Sequence, residues 1–110
     1  SVGEQETFER DTLAASFVLE RMQALADAVL RRFRREGFAT FRTVVITVRF
    51  ADFTTVTRSH TSRAPMNTRD ALWAEALRML LPFLDARENP RKKPIRLIGV
   101  RVEKLARAQD

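Results

Sequence analysis

Apolar residues recur along this chain with two different periods, and the change between them lays out its elements. From Leu13 onward, Val18, Met22, Leu25, Val29 and Phe33 fall four, three, four and four residues apart, which is one face of a helix. Glu20, Arg21, Asp27, Arg31 and Arg34 fall on its other faces. Asp11 and Thr12 offer side-chain oxygens to cap its start, and Gly37 is suited to the position just past its end. Beyond Gly37 the period drops to two. Val44, Ile46, Val48 and Phe50 alternate with Thr43, Val45, Thr47 and Arg49, the repeat of a strand. Ala51 to Phe53 reads as a tight connection and Thr54 to Thr61 as a Thr-rich strand, so the two strands predict an antiparallel hairpin.

The remaining segments are shorter. Gln5 to Arg10 predicts a strand, with β-propensity from Thr7 and Phe8. Ser62 to Asn67 reads as a loop containing Pro65. Asn67 or Thr68 caps a second helix with a predicted buried stripe of Trp73, Leu77, Leu80 and Leu84, Ala76 lying beside it. Pro82 kinks or stops that helix. A charged loop from Ala86 to Lys93 leads to a last strand, Ile95 to Val102, with Pro94 tolerated at its start. Residues 105–110 read as a polar tail that frays. The element order is βαββαβ within a single domain, residues 1–110. The two helices must cover one face of the sheet, because their apolar stripes and the sheet's apolar face have no other partner. The fold class is therefore α+β: a two-layer sandwich with a four-stranded antiparallel-type sheet, two helices on one face and the other face open.

Strand alternation then predicts what the open face carries. Thr43, Thr47 and Arg49 point outward if Val44, Ile46 and Val48 point to the helices. In the last strand Ile95, Leu97, Val100 and Val102 read as inward, and Arg96 and Arg101 as outward. Those arginines are five residues apart, so a one-residue bulge is needed, and Gly99 is its predicted place. The third strand adds Thr57, Arg58, Ser59, His60 and Thr61. Guanidinium groups, hydroxyls and backbone N–H groups suit a phosphate backbone. No outward aromatic pair offers the stacking platform of an RRM-type RNA binder, and Phe41, Phe50 and Phe53, at strand ends, read as core.

Composition narrows the picture further. One hundred and ten residues suffice for one core and not for two. Twenty Lys and Arg against fourteen Asp and Glu give a net charge of +6, which attracts polyanions. The Arg31-Arg32-Phe33-Arg34-Arg35 cluster ends a helix, where the dipole favours cations, and lies in the layer behind the sheet. No apolar run is long enough to cross a bilayer and no leader is visible, so no membrane association and a cytoplasmic setting are expected. With no cysteine and one histidine, no transition-metal site is expected. Asp52, Asp85 and Glu88 are scattered, so the residues point to no catalytic centre and no metal ligands.

Three segments resemble the little-finger (polymerase-associated) domain of Y-family lesion-bypass DNA polymerases, in particular the DNA polymerase IV branch. The run Ser1-Val2-Gly3-Glu4-Gln5-Glu6-Thr7-Phe8 is similar to the opening of that domain, which implies that residues 1–4 are the remnant of the linker from a preceding thumb. Arg42-Thr43-Val44, with Val48-Arg49-Phe50-Ala51-Asp52-Phe53-Thr54-Thr55-Val56-Thr57-Arg58-Ser59, resembles its central hairpin. Pro94-Ile95-Arg96-Leu97-Ile98-Gly99-Val100-Arg101-Val102 resembles its closing strand. The resemblance implies a sheet order of 1-4-2-3, laid in the major groove of a double-stranded template-primer DNA and touching phosphates of both strands. It implies DNA contacts at Thr43, Thr57, Arg58, Ser59, His60, Thr61, Arg96 and Arg101, with Leu97 standing where some relatives have a second arginine. It also implies that magnesium belongs to the palm of the parent polymerase, which this sequence lacks. The fragment is then without cofactor, inactive alone and monomeric, and the full protein meets a sliding clamp through a peptide not visible before Asp110. A free-standing basic module binding RNA or protein, and the little finger of a catalytically inactive Y-family relative, stay open at this point.

Overall fold

The computed structural model describes residues 1–108. The elements in chain order are β1 (Val2–Thr12), α1 (Ala15–Arg35), β2 (Phe38–Phe50), β3 (Thr55–Met66), α2 (Arg69–Leu80), a 3-10 turn (Leu81–Phe83), β4 (Ile95–Glu103) and β5 (Ala106–Arg107). The four long strands form an antiparallel sheet in the order β1-β4-β2-β3. Both helices pack on one side. Val18, Met22 and Val29 of α1 and Leu72, Ala76 and Leu80 of α2 join Val44, Ile46, Val48, Ile98 and Val100 of the sheet in one buried core. The α+β two-layer architecture is the one expected from the periodicity.

Local chemistry explains where the elements end. The α1 helix stops at Gly37, whose φ of 85° is left-handed and whose N–H donates to the Arg34 carbonyl (3.0 Å), a conformation open to glycine without a Cβ clash. At α2, the Thr68 hydroxyl accepts from the Ala71 N–H (3.1 Å). The expected oxygen caps at α1 do not form. Thr12 still belongs to β1 and its hydroxyl accepts from the Ala14 N–H (2.9 Å), so α1 starts beyond Leu13 without a side-chain cap.

Several boundaries differ from those predicted. Residues 2–4, read as linker, are the first residues of β1, and Val2 is buried. Pro65 lies within β3 rather than in a loop, which is permissible because β3 is an edge strand with one side unpaired. The α2 stripe is rotated by about one residue. Leu72, Ala76, Met79 and Leu80 are buried, while Trp73 packs against the core only in part. Apolar residues occupy both possible stripes, so helical spacing alone does not choose between them. The tail does not fray at Ala106 and Arg107. After a kink at Lys104 (φ 57°) they pair with Thr40 and Phe38 of β2, because β2 begins well before the alternation at Thr43 and offers them an edge. Residues 109–110 of that tail lie outside the described residues.

Candidate nucleic-acid interface

Residues paired directly across an antiparallel sheet share a face, so the register assigns every strand position. One face carries the rows Val2–Val102–Val44–His60, Glu4–Val100–Ile46–Arg58 and Glu6–Ile98–Val48–Val56. Its central members form the helix-covered core. The opposite face carries Gly3–Arg101–Val45–Ser59, Gln5–Gly99–Thr47–Thr57 and Thr7–Leu97–Arg49–Thr55, with Glu103–Thr43–Thr61 at one end. No helix packs there. Of the predicted site residues, Thr43, Thr57, Ser59, Thr61 and Arg101 therefore lie on the open side, but Thr43 is buried there, 4% exposed, and does not present its hydroxyl to solvent as expected.

That face is built mainly of hydroxyls and guanidinium groups. The hydroxyls of Thr43 and Thr61 share a 2.8 Å hydrogen bond. Arg49 Nε donates to Thr55 Oγ1 (2.9 Å), and Arg101 Nε donates to Glu103 Oε2 (2.6 Å) while its side chain stays 42% exposed. Such a guanidinium is fixed by one carboxylate yet keeps N–H donors for a second anion. Gly3 makes room for it: a Cβ there would lie 2.7 Å from Arg101 Cβ. Together Gly3 and Gly99 leave a depression of about 270 Å³ bordered by Gln5, Thr47 and Arg101, where an incoming group can approach the sheet backbone. Val45 and Leu97 are buried on this side as well, outside the helix-side core.

Two predicted residues lie on the wrong side. Arg58 and His60 share the helix-side face, contrary to the expectation that all of Thr57 to Thr61 serve the open one. Arg58 pairs with Glu88 (2.7 Å) and sits over the Phe83 ring, 5.3 Å from its centroid. His60 Nδ1 lies 2.9 Å from Glu75 on α2. Alternating strand geometry forbids neighbours from sharing a face, and the Val56–Val48 pair fixes which set turns inward. The single front of Arg58, Arg96 and Arg101 is thereby overturned.

The bulge also moves. Pairing runs without a shift from Leu97 to Val102 against β1 and on to Glu103 against β2, so Gly99 is a regular strand residue. The irregularity lies where Arg49 pairs with Leu97 but Phe50 pairs with Ile95, making Arg96 the extra residue. Leu97 consequently faces the open side rather than inward. Arg96 stands at the hairpin end of the sheet, 3.7 Å from Asp11 and over the ring of Phe53 at 4.6 Å. Phe41 and Phe50 are core residues, but Phe53 is 63% exposed.

Arg49 belongs to this face and was absent from the residues implied by the family, although alternation two residues past Thr47 already points it outward. Within the Arg31–Arg35 cluster, on the helix layer, Arg32 pairs with Glu36 (2.9 Å) and Arg34 donates to the Asn67 carbonyl (3.3 Å). Among the described residues no group of three or more His, Cys, Asp or Glu side chains could hold a metal ion, and no helix is long and apolar enough to cross a membrane.

Comparison with known proteins places this geometry. The family described as the impB/mucB/samB family C-terminal domain matches residues 1–110. A DNA polymerase IV of Alkalilimnicola ehrlichii is 38% identical over 105 residues, covering 96% of this chain and 28% of that protein. A DNA polymerase IV of Leptospira interrogans is 31% identical over 102 residues, covering 91% and 28%. The chain thus spans just over a quarter of the length of these relatives. Among solved structures, the complex of the beta-clamp processivity factor and the little finger domain of PolIV superposes with a TM-score of 0.69 at 22% identity, covering 92% of this chain and 85% of the other. DinB from Sulfolobus solfataricus superposes with a TM-score of 0.72 at 14% identity, covering 93% and 28%. These structures share the fold, and the family match extends over every strand of the open face and both helices behind it: the chain belongs to the impB/mucB/samB C-terminal domain family.

Proposed function

We propose that this chain is the little finger of a DNA polymerase IV-like, Y-family lesion-bypass polymerase and grips template-primer duplex through its backbone phosphates. The observation that carries this reading is the helix-free sheet face, where Arg49, Arg101 and a field of threonine and serine hydroxyls share one side with a glycine-floored depression bordered by Thr47 and Arg101. Short neutral donors and forked cations suit phosphate oxygens, which are alike at every base pair, so such a face holds duplex without reading its sequence. Arg96 extends the same grip at the hairpin end. Nucleotidyl transfer belongs to the palm of the parent enzyme, where carboxylates hold magnesium, and this domain contributes retention of the DNA. The clamp-bound little finger among its structural relatives supports a sliding clamp as a partner of the parent protein, and the setting is cytoplasmic.

Titrating the chain into fluorescently labelled duplexes across a range of salt concentrations tests this. Neutralising ~3 phosphates, one each at Arg49, Arg96 and Arg101, gives a slope of log affinity against log salt of about −3, equal for two unrelated sequences. The double variant R49A/R101A flattens the slope by about 2, while R58A, on the other face, leaves it unchanged. A slope lowered by R58A but not by the double variant would overturn the assignment of the surface.

A further inference from the structure

We propose that Phe53, at the tip of the β2–β3 hairpin, is a stacking platform for an unpaired nucleobase, a role distinct from the phosphate grip of the sheet. Phe53 has a φ of 68°, the left-handed region that a bulky residue rarely occupies. The surroundings hold it there. Its N–H donates to the Phe50 carbonyl (2.9 Å), and the Phe50 N–H donates to the Thr54 carbonyl (2.9 Å). The Asp52 carboxylate accepts from the N–H and hydroxyl of Thr54 (3.0 and 2.6 Å) and pairs with Lys93 (2.8 Å). The result is a rigid turn that presents an aromatic ring to solvent instead of folding it into the core, where Phe41 and Phe50 of the preceding strand lie.

The ring's surroundings match a nucleic acid. The Arg96 guanidinium lies over the ring, 4.6 Å from its centroid, and Phe53 as a residue remains 63% exposed. Arg49 closes the open face one strand residue before the turn. Arg91 and Lys92 are exposed in the loop that the Ala51 N–H to Pro94 carbonyl bond (2.9 Å) ties to the turn. Of the nearby carboxylates, Asp52 is engaged by Lys93 and Thr54, and Asp11 stands 3.7 Å from Arg96. An exposed ring among cations at the end of a phosphate-binding face is the pairing by which proteins hold single strands: cations track the backbone while bases stack. Inside a duplex both faces of every base are stacked on neighbours, so the ligand is a single strand continuing past the duplex end. The inference rests on the proposed function only in bringing that end to the hairpin.

Three labelled DNAs separate the effects: a blunt duplex, the same duplex with a three-nucleotide overhang, and the same overhang with abasic sites. The abasic overhang keeps its phosphates and loses its bases. The chain is expected to bind the base-bearing overhang roughly five- to thirtyfold tighter than the abasic one. F53A should bring that ratio to about one without weakening blunt-duplex binding or lowering the melting temperature, and F53W should preserve it. A ratio of one for the unaltered chain, with blunt-duplex binding intact, overturns the stacking role and leaves the phosphate grip standing. A retained ratio without blunt-duplex binding supports stacking and removes the grip. Equal loss of both in a folded F53A overturns the inference, since Phe53 would then act by positioning Arg96.

Discussion

Asp52 concentrates more interactions than any other side chain at the hairpin tip. The Lys93 ammonium, and after it the Thr54 hydroxyl and amide, hold its carboxyl well below the usual carboxylate range. A depressed value in the folded state means that the ionised form is favoured by folding. That stabilisation is present at neutral pH and is lost only as pH falls through the lowered value. The expectation is that the Asp52 carboxyl, followed by carbon NMR, titrates below the ordinary aspartate range, and that K93A moves its midpoint upward. An Asp52 midpoint at the ordinary aspartate value would mean that the turn is not held as described. Neighbouring Phe53 shows how far sequence reading reaches at this scale. Its hydrophobicity and its place at a strand end pointed to the core, whereas its direction is set by a left-handed turn that hydrophobicity does not report.

At the scale of elements, the two helices differ in how they start. The α2 helix has a threonine cap and α1 has Ala14 with none. Replacing Thr68 by alanine should cost about 0.5–2 kcal/mol in urea denaturation, and a change below the low end would show that packing alone sets the start of α2. The strands were legible in proportion to how apolar one side of each is. In β2 the alternation of Val44, Ile46 and Val48 fixed the faces outright. In β3 both sides are polar, so Arg58 and His60 could not be separated from Thr57, Ser59 and Thr61 by hydrophobicity. The single informative residue was Val56, whose parity with Arg58 and His60 turns both toward the helices. In β4 the conflict between Arg96 and Arg101 was visible, but its resolution was not. A bulge at Arg96 rather than Gly99 depends on the β2 register, and Leu97, apolar yet on the helix-free face, misled the alternation.

Across the whole molecule, two helices shield one side of a sheet whose other side presents hydroxyls and arginines in aligned rows. The βαββαβ order and the separation of layers followed from periodicity, because burying two apolar helix stripes against one apolar sheet face admits few arrangements. The composition of the open face depended on register, and register is a property of strand pairs rather than of any one strand. Losing Arg58 and His60 from that face, with Arg49 kept on it as alternation predicted, leaves it less basic and richer in hydroxyls, with its cations near the two ends. Methyl NMR of the chain titrated with duplex DNA tests this division of labour most directly. The account predicts that the methyl signals of Thr47, Thr57 and Thr61 shift and broaden, while those of Ala24, Ala28 and Ala74 on the helices stay in place. Shifts confined to the helix alanines, with the three threonines unmoved, would contradict it.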